Sequence, residues 1–456
     1  MHPTDLFSKK IAIIGYGREG ASVCKYLIQH GARPVVLDRK PEIELLPLVG
    51  DDVEIRAGDE YLDDLEAYEV VIRSPGVPRT SPALVLAAKA GVQVTSATQI
   101  FFDLAPCPII GVTGTKGKGT TSTLICEMLR ESGLGAQLGG NIGKPAIDLL
   151  DTLRPESLAV LELSSFQLQG LGKSPHVSVV LSITADHLDL HKNRDEYVEA
   201  KSQIVRSQSQ NDYAIINADD ATAASFAEFS RGKILRFSVN KTVTPGGWIS
   251  GDELYAQIEQ EPVLVGRGEE IKLKGLHNLS NILAASLAAL ACGATLPAVR
   301  KIAATFSGLP CRLEDIGEAK DRRFVNDSMA TMPEATIAAL RALSQPIVLI
   351  VGGYDKHADY ADLGKEIAGN PRVRGVVVIG QTGKKILDSL ENAGYKKTVT
   401  QAGGDMPTII ASALAISKPD DTILLSPASA SFDMFRDAYD RGEQFNKAVT
   451  ELSNDQ

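Results

Sequence analysis

Residues 109–121 read Ile-Ile-Gly-Val-Thr-Gly-Thr-Lys-Gly-Lys-Gly-Thr-Thr. An apolar run enters a glycine-rich loop, and the loop opens onto a helical pattern at 124–130. Strand, glycine loop and helix in that order are what a phosphate-binding loop requires. Glycines let backbone N–H groups turn inward around a phosphate, and the helix N-terminus adds the positive end of its dipole. Gly114, Thr115, Lys116, Gly117, Lys118, Gly119, Thr120 and Thr121 are therefore the candidate phosphate residues. Lys118 is placed to neutralise the β- and γ-phosphates. The position directly after it, where a Ser or Thr ordinarily binds Mg²⁺, is Gly119, so Thr120 or Thr121 must supply that oxygen.

Outward from the loop, acidic and basic residues recur at strand ends. Glu162 lies in Leu-Glu-Leu-Ser-Ser-Phe-Gln-Leu at 161–168, at the end of an apolar run expected as a strand at 159–163. A carboxylate there can hold Mg²⁺ through oxygen; the competing reading is a solvated turn at a sheet edge. His187 follows the run 177–183, also expected as a strand, and is flanked by Asp186 and Asp189. It can ligate a second metal with those carboxylates orienting it, although a lone His is more often structural. Lys201 sits in a helical segment, 196–204, where the plain expectation is a solvated lysine.

The same alternation of short apolar runs and helical patterns fills the chain, which predicts α/β architecture with mostly parallel sheets. At roughly 150 residues per domain, 456 residues make about three domains. We place them at 1–98, Rossmann-like; 99–308, P-loop ATPase-like; and 309–456, Rossmann-like again. A less regular stretch near 236–275 is expected to form a small antiparallel excursion. In the first block a strand at 11–14 enters Gly15-x-Gly17-x-x-Gly20, and Asp38 closes the next strand. Alone, that fits a dinucleotide fingerprint and an NAD-dependent oxidoreductase. In open α/β sheets ligands gather beyond the carboxyl ends of the strands, where these unusual residues lie.

Composition narrows the classes. The 47 basic and 57 acidic residues leave a formal charge of −10, the wrong sign for a protein held to nucleic acid by phosphate contacts. Apolar residues are 44% and charged residues 23%, an ordinary globular balance. Five scattered cysteines without a Cys-x-x-Cys pair speak against disulfides and structural zinc, and fit a reducing cytoplasm. The longest apolar stretch, 282–294, is too short to span a bilayer, so no membrane insertion is expected.

Taken together, the motifs are specific. They are 111–121, Gly-Gly-Asn-Ile-Gly at 139–143, 161–168, Asp-His-Leu-Asp at 186–189, Tyr-Val-Glu-Ala-Lys at 197–201 and His-Asn-Leu-Ser-Asn at 277–281. Further along come Gly-Leu-Pro-Cys-Arg-Leu-Glu at 308–314, Asn-Asp-Ser-Met-Ala-Thr at 326–331, 352–360 and 424–435. On these the chain resembles the Mur ligases, ATP-dependent amino-acid ligases of peptidoglycan synthesis, over nearly its whole length. It is most similar to the members that add glutamate to UDP-N-acetylmuramoyl-L-alanine. The resemblance implies acyl-phosphate formation from ATP and amide formation with glutamate, in a cytoplasmic monomer. By similarity Lys118, His187 and Lys201 are catalytic. Thr120, Glu162, His187 and a carbamylated Lys201 hold Mg²⁺, while Asn278, Asn281, Arg312 and Asp327 join the phosphate loop on ATP. The first block then takes the UDP moiety, not NAD, through Arg18, Asp38, Arg39, Ser74, Pro75 and Gly76. Asn141, Ser164 and Gln167 line the acceptor side; Thr331, Lys356 and Ser431 bind glutamate.

Three positions depart from the family pattern. Cys311 stands where a His is common, Met329 where a Lys is usual, and Ala438 where an aromatic residue typically packs on glutamate. D-glutamate is the expected amino acid. The L-glutamate variant of the same ligase and a folate-type polyglutamate ligase remain the alternatives within the superfamily.

Overall fold

A computed structural model of the chain describes residues 6–40, 53–184, 193–273, 275–356 and 358–454. Among the described residues the strands form three sheets, and the chain divides into two compact units, Met1–Phe306 and Ser307–Gln456. The first sheet takes β1 (Ile11–Ile14), β2 (Val35–Asp38), β3 (Ile55–Ala57), β4 (Val70–Arg73) and β5 (Gln93–Ser96) in the order β3-β2-β1-β4-β5. All four pairings are parallel. The inner strands β1 and β4 are buried along their length, as strands covered on both faces by helices must be. Helix α1 (Arg18–Gln29) follows β1 directly.

The second sheet belongs to the same unit. Its strands are β6 (Ile109–Thr113), β7 (Ala136–Gly140), β8 (Leu158–Glu162), β9 (Val177–Val180), β10 (Tyr213–Asn217), β11 (Lys233–Ser238), β12 (Gly246–Ser250), β13 (Glu253–Gln257) and β14 (Val263–Arg267). The order is β14-β13-β12-β11-β10-β9-β6-β8-β7. Six pairings are parallel; β12–β13 and β13–β14 are antiparallel, which is the excursion expected near 236–275. Four helices matter for the site: α2 (Lys118–Glu131), α3 (Ser165–Leu168), α4 (Arg194–Arg206) and α5 (Leu276–Ala291).

Two boundaries differ from the sequence pattern for identifiable reasons. Helix α2 begins at Lys118, six residues before its apolar periodicity starts, because Gly117 at φ +83° turns the chain into it. The intervening Gly and Thr residues have poor helix propensity and conceal that first turn. Strand β9 stops at Val180, short of the expected 183, because the chain there bends over the phosphate loop. Thr115 N donates to Ser182 O (2.7 Å) and Thr184 N to Thr115 Oγ1 (3.0 Å).

The second unit carries the third sheet: β15 (Glu314–Ala319), β16 (Arg322–Asn326), β17 (Ile347–Gly352), β18 (Val373–Ile379), β19 (Thr398–Gln401) and β20 (Thr422–Leu425), in the order β15-β16-β20-β17-β18-β19. Only β15–β16 is antiparallel. Its last helix, α6 (Ala438–Asn454), packs Phe445 against Phe324 of β16, with ring centroids 6.1 Å apart.

Candidate active site

The phosphate loop leaves β6 beside β8, with Val112 in register with Glu162. At that strand end three expected site residues converge. Lys118 Nζ donates to the carbonyls of Gly114 (3.1 Å) and Thr115 (2.9 Å). Lys201 Nζ donates to the same Gly114 carbonyl (2.8 Å) and to Thr113 Oγ1 (3.3 Å). Thr113 Oγ1 in turn donates to Leu163 O, one residue beyond Glu162 (2.9 Å). Two ammonium groups and a carboxylate thus share the carboxyl ends of neighbouring strands.

Lys201 is only 2% exposed, which removes the solvated-lysine reading. Burial of an amine demands compensation; beyond its two acceptors it lies 4.8 Å from the centroid of the Tyr197 ring. Tyr197 and Lys201 are four residues apart on α4 and so share one face. The Tyr197 hydroxyl shares a hydrogen bond with Thr115 Oγ1 (3.0 Å). Tyr197 is a site residue that its residue type does not reveal; its four-residue spacing from Lys201 on a helical pattern is the signal the sequence carries.

Glu162 is 7% exposed, at the end of β8 and not in a solvated turn. The loop after β7 wraps it: Asn141 N donates to Glu162 O (2.9 Å) and Asn141 Nδ2 to Oε1 (2.8 Å). Gly140, at φ +97°, lies so close that a Cβ would press into the Glu162 carbonyl. Among the described residues Asn141 Nδ2 takes Oε1 and no hydrogen bond engages Oε2, which leaves that oxygen available to a cation. That donor set, hard oxygen on a rigid strand end beside a phosphate loop, fits Mg²⁺. Of the two threonines, Thr121 Oγ1 is fully buried and without a partner among the described residues, while Thr120 is half-buried. The accessible hydroxyl is therefore that of Thr120. His187, with Asp186 and Asp189, lies outside the described residues.

Asn281 approaches the loop from α5; a Cβ on Gly117 would strike its Oδ1, and its Nδ2 donates to Asn278 Oδ1 (3.3 Å). Lys116 is exposed, and Gly119 occupies the first turn of α2.

On the first sheet Asp38 uses its oxygens locally. Oδ2 accepts from Tyr16 N (2.6 Å) and Oδ1 from Lys40 N (2.9 Å). Ser74 Oγ donates to Gly15 O (2.6 Å), tying the Ser74-Pro75-Gly76 turn to the glycine loop. Arg39 is exposed and only loosely paired with Asp59 (3.8 Å). Arg18 reaches the carbonyls of Gly140, Asn141 and Gly143. Ser164 and Gln167 form a reciprocal capping box on α3, and Gln167 Nε2 also donates to Glu19 Oε1 (2.6 Å). Burial raises the Glu19 carboxyl above its ordinary range. Arg73, unremarked in the sequence, is 3% exposed and bridges Val77 O, Phe166 O and Gln169 O; burial lowers its pKa to about 10.

In the second unit Asp327 follows β16. Its Oδ2 accepts from Ser426 Oγ (2.8 Å) and its Oδ1 from Leu313 N (3.2 Å); burial raises its pKa to about 6, against the nearby charge of exposed Arg312. Arg441, also missed, is wholly buried. It donates to Ser328 O (2.8 Å), Ser328 Oγ (2.9 Å), and the carbonyls of Ser429 and Ala430 (each 3.2 Å), pinning two motif loops together. Next to them Ser431 Oγ is buried and, among the described residues, without a hydrogen-bond partner. Thr331 is half-buried, and Lys356 is exposed with Nζ 5.5 Å from the Phe432 ring centroid.

Three family descriptions match consecutive parts of the chain: Mur ligase MurD-like, N-terminal domain, at 9–96; Mur ligase middle domain at 112–289; and Mur ligase, glutamate ligase domain, at 311–429. The UDP-N-acetylmuramoylalanine–D-glutamate ligase of Symbiobacterium thermophilum is 37% identical over 98% of both chains. That of Acetivibrio thermocellus is 36% identical, over 98% of this chain and 97% of its own. Among solved structures, the UDP-N-acetylmuramate–alanine ligase of Thermotoga maritima shares the fold. Its TM-score is 0.56 at 19% identity, covering 97% of this chain and 99% of that one.

Proposed function

The chain belongs to the Mur ligase family, and on that premise we propose that it is an ATP-dependent ligase joining D-glutamate to UDP-N-acetylmuramoyl-L-alanine in peptidoglycan precursor synthesis, acting as a cytoplasmic monomer. The observation that carries the reading is the meeting of Lys118, Lys201 and Glu162 at the carboxyl ends of β6 and β8. Relatives bearing that activity in their names align with the chain almost end to end.

The chemistry divides among the chain's own groups. The alanyl carboxylate attacks the γ-phosphorus of ATP, ADP departs, and an acyl phosphate forms. Lys118 and the loop N–H groups neutralise the phosphoryl oxygens as charge shifts to the leaving group. The amino group of glutamate then attacks the acyl carbon, and the tetrahedral intermediate expels phosphate to leave an amide. Mg²⁺, when bound, supplies further neutralisation of phosphate charge. Thr120 and Glu162 would hold one ion, His187 and a carbamylated Lys201 a second. Carbamylation replaces an ammonium by a carboxylate-like group, which changes buried Lys201 from a cation into a ligand. Asn278, Asn281, Arg312 and Asp327 are assigned to ATP; Arg39, Asp38 and the Ser74-Pro75-Gly76 turn to the UDP moiety. Thr331, Lys356 and Ser431 are assigned to glutamate, with Lys356 the counter-charge for its side chain.

The test is ADP release by purified protein with UDP-N-acetylmuramoyl-L-alanine and either glutamate enantiomer. D-glutamate should drive turnover. Preference for L-glutamate would reassign the amino acid, and no ADP above background with either would end the proposal. Size-exclusion chromatography checks the monomer.

A further inference from the structure

Arg18 and Glu19 lie inside Gly15-x-Gly17-x-x-Gly20 and open α1, yet both side chains end on segments that follow strands of the second sheet. Arg18 Nη1 donates to Gly143 O (3.3 Å), and Nη2 to Gly140 O (3.4 Å) and Asn141 O (3.1 Å). Glu19 Oε1 accepts from Gln167 Nε2 (2.6 Å). The segments held in this way follow β7 and β8: Arg18 grips the 140–143 loop, and Glu19 meets the capping Gln167 of α3. The 140–143 loop is also the one that holds Glu162 itself, through Asn141 N on its carbonyl and Asn141 Nδ2 on its carboxylate. A planar guanidinium offers several donors in directions fixed by its fork, whereas a lysine ammonium is a compact point charge on a flexible stem.

We propose that Arg18 is a positioning residue for Glu162: it clamps the 140–143 loop and acts through Asn141. The first turn of α1 would then stiffen the carboxylate of the phosphate site. The inference rests on the reading of Glu162 as an Mg²⁺ ligand, and it gives Arg18 a task distinct from contact with the UDP diphosphate. Partners that orient a metal ligand commonly contribute 10- to 100-fold in metal affinity; Arg18 acts one bond further out, so about tenfold is expected.

The experiment uses the full chain with Mn²⁺ and ADP, following free Mn²⁺ by electron paramagnetic resonance. Arg18→Gln should weaken Mn²⁺ binding about tenfold, with Arg18→Lys in between. On an Asn141→Ala background Arg18→Gln should add less than about twofold, as groups acting in series do. Without any ligand, the Asn141 amide should exchange its hydrogen about tenfold faster in Arg18→Gln. Unchanged Mn²⁺ affinity with unchanged exchange at 140–143 would overturn the proposal. So would additive effects of the two substitutions, or weakened binding of UDP with Mn²⁺ binding intact, which would make Arg18 a phosphate contact. If the wild-type chain released no ADP with either glutamate while Arg18→Gln still loosened this loop and the Mn²⁺ site, the ligase reading would fall and this one would stand.

Discussion

The first and second sheets each send their leading strand into a glycine loop and then a helix, but the two loops are electrostatic opposites. After β1 the loop is closed by a carboxylate: Asp38 takes the Tyr16 N–H, and Ser74 takes the Gly15 carbonyl. After β6 the loop carbonyls are met by two ammonium groups, Lys118 and Lys201. Backbone shape alone does not separate a nucleotide-sugar site from a phosphoryl-transfer site. On the proposed assignment the two ammonium groups at the second loop make the difference, because a transferring phosphoryl group gathers negative charge that only cations and N–H dipoles stabilise.

The hardest test of that contrast is Lys118→Ala, which should lower turnover by on the order of 10² or more. Near-normal kcat in a steady-state ADP assay would make the two loops equivalent and break the comparison. Lys201→Ala should come next, with a loss on the order of 10². Partial restoration by acetate or bicarbonate would show that the lost group was a carbamate, not an ammonium. For the first loop, Asp38→Ala frees the Tyr16 N–H and should raise KM for the UDP-linked substrate about tenfold with KM for ATP unchanged, the value of one charge-assisted hydrogen bond. A matching rise for ATP would deny the two loops separate ligands. The smallest effects sharpen the metal assignment. Thr121→Val removes a buried hydroxyl that has no partner among the described residues and should leave activity intact, with thermal stability level or higher by about 1 kcal/mol. Thr120→Val should instead raise the Mg²⁺ requirement. The reverse pattern in an Mg²⁺ titration would exchange their roles.

Much of the second loop was legible in advance because its information is local. A strand, glycines at fixed spacing and a lysine at the helix start dictate their own geometry, and the chain forms that strand, loop and helix with Lys118 at the helix start. The α/β class and the antiparallel excursion at β12–β14 were legible from periodicity for the same reason. Lys201 is the contrary case. A lysine in a charged helical segment reads as solvated until the helix is docked, and only docking makes it 2% exposed above Tyr197. Arg73 and Arg441 were invisible on the same grounds, since each is buried against carbonyls distant in sequence, those of Phe166 and Gln169 for Arg73 and that of Ser328 for Arg441. Ser164 and Gln167 were expected on the acceptor side; their capping box is a local Ser-x-x-Gln pattern, whereas the contact of Gln167 with Glu19 spans distant segments that no residue-type argument joins.

From the amino-acid order alone came the alternation of elements, the three blocks and the chemical inventory of each strand end, because hydrophobic period and turn chemistry act over a few residues. Tertiary structure alone decided which of those groups share a space: that Asn141 holds Glu162, that Lys118 and Lys201 meet on one carbonyl, and that Arg18 crosses from its own sheet to the next. The reason is that burial and hydrogen bonding between distant segments depend on how strands are ordered in a sheet, and the order β9-β6-β8-β7 is not the order of the chain.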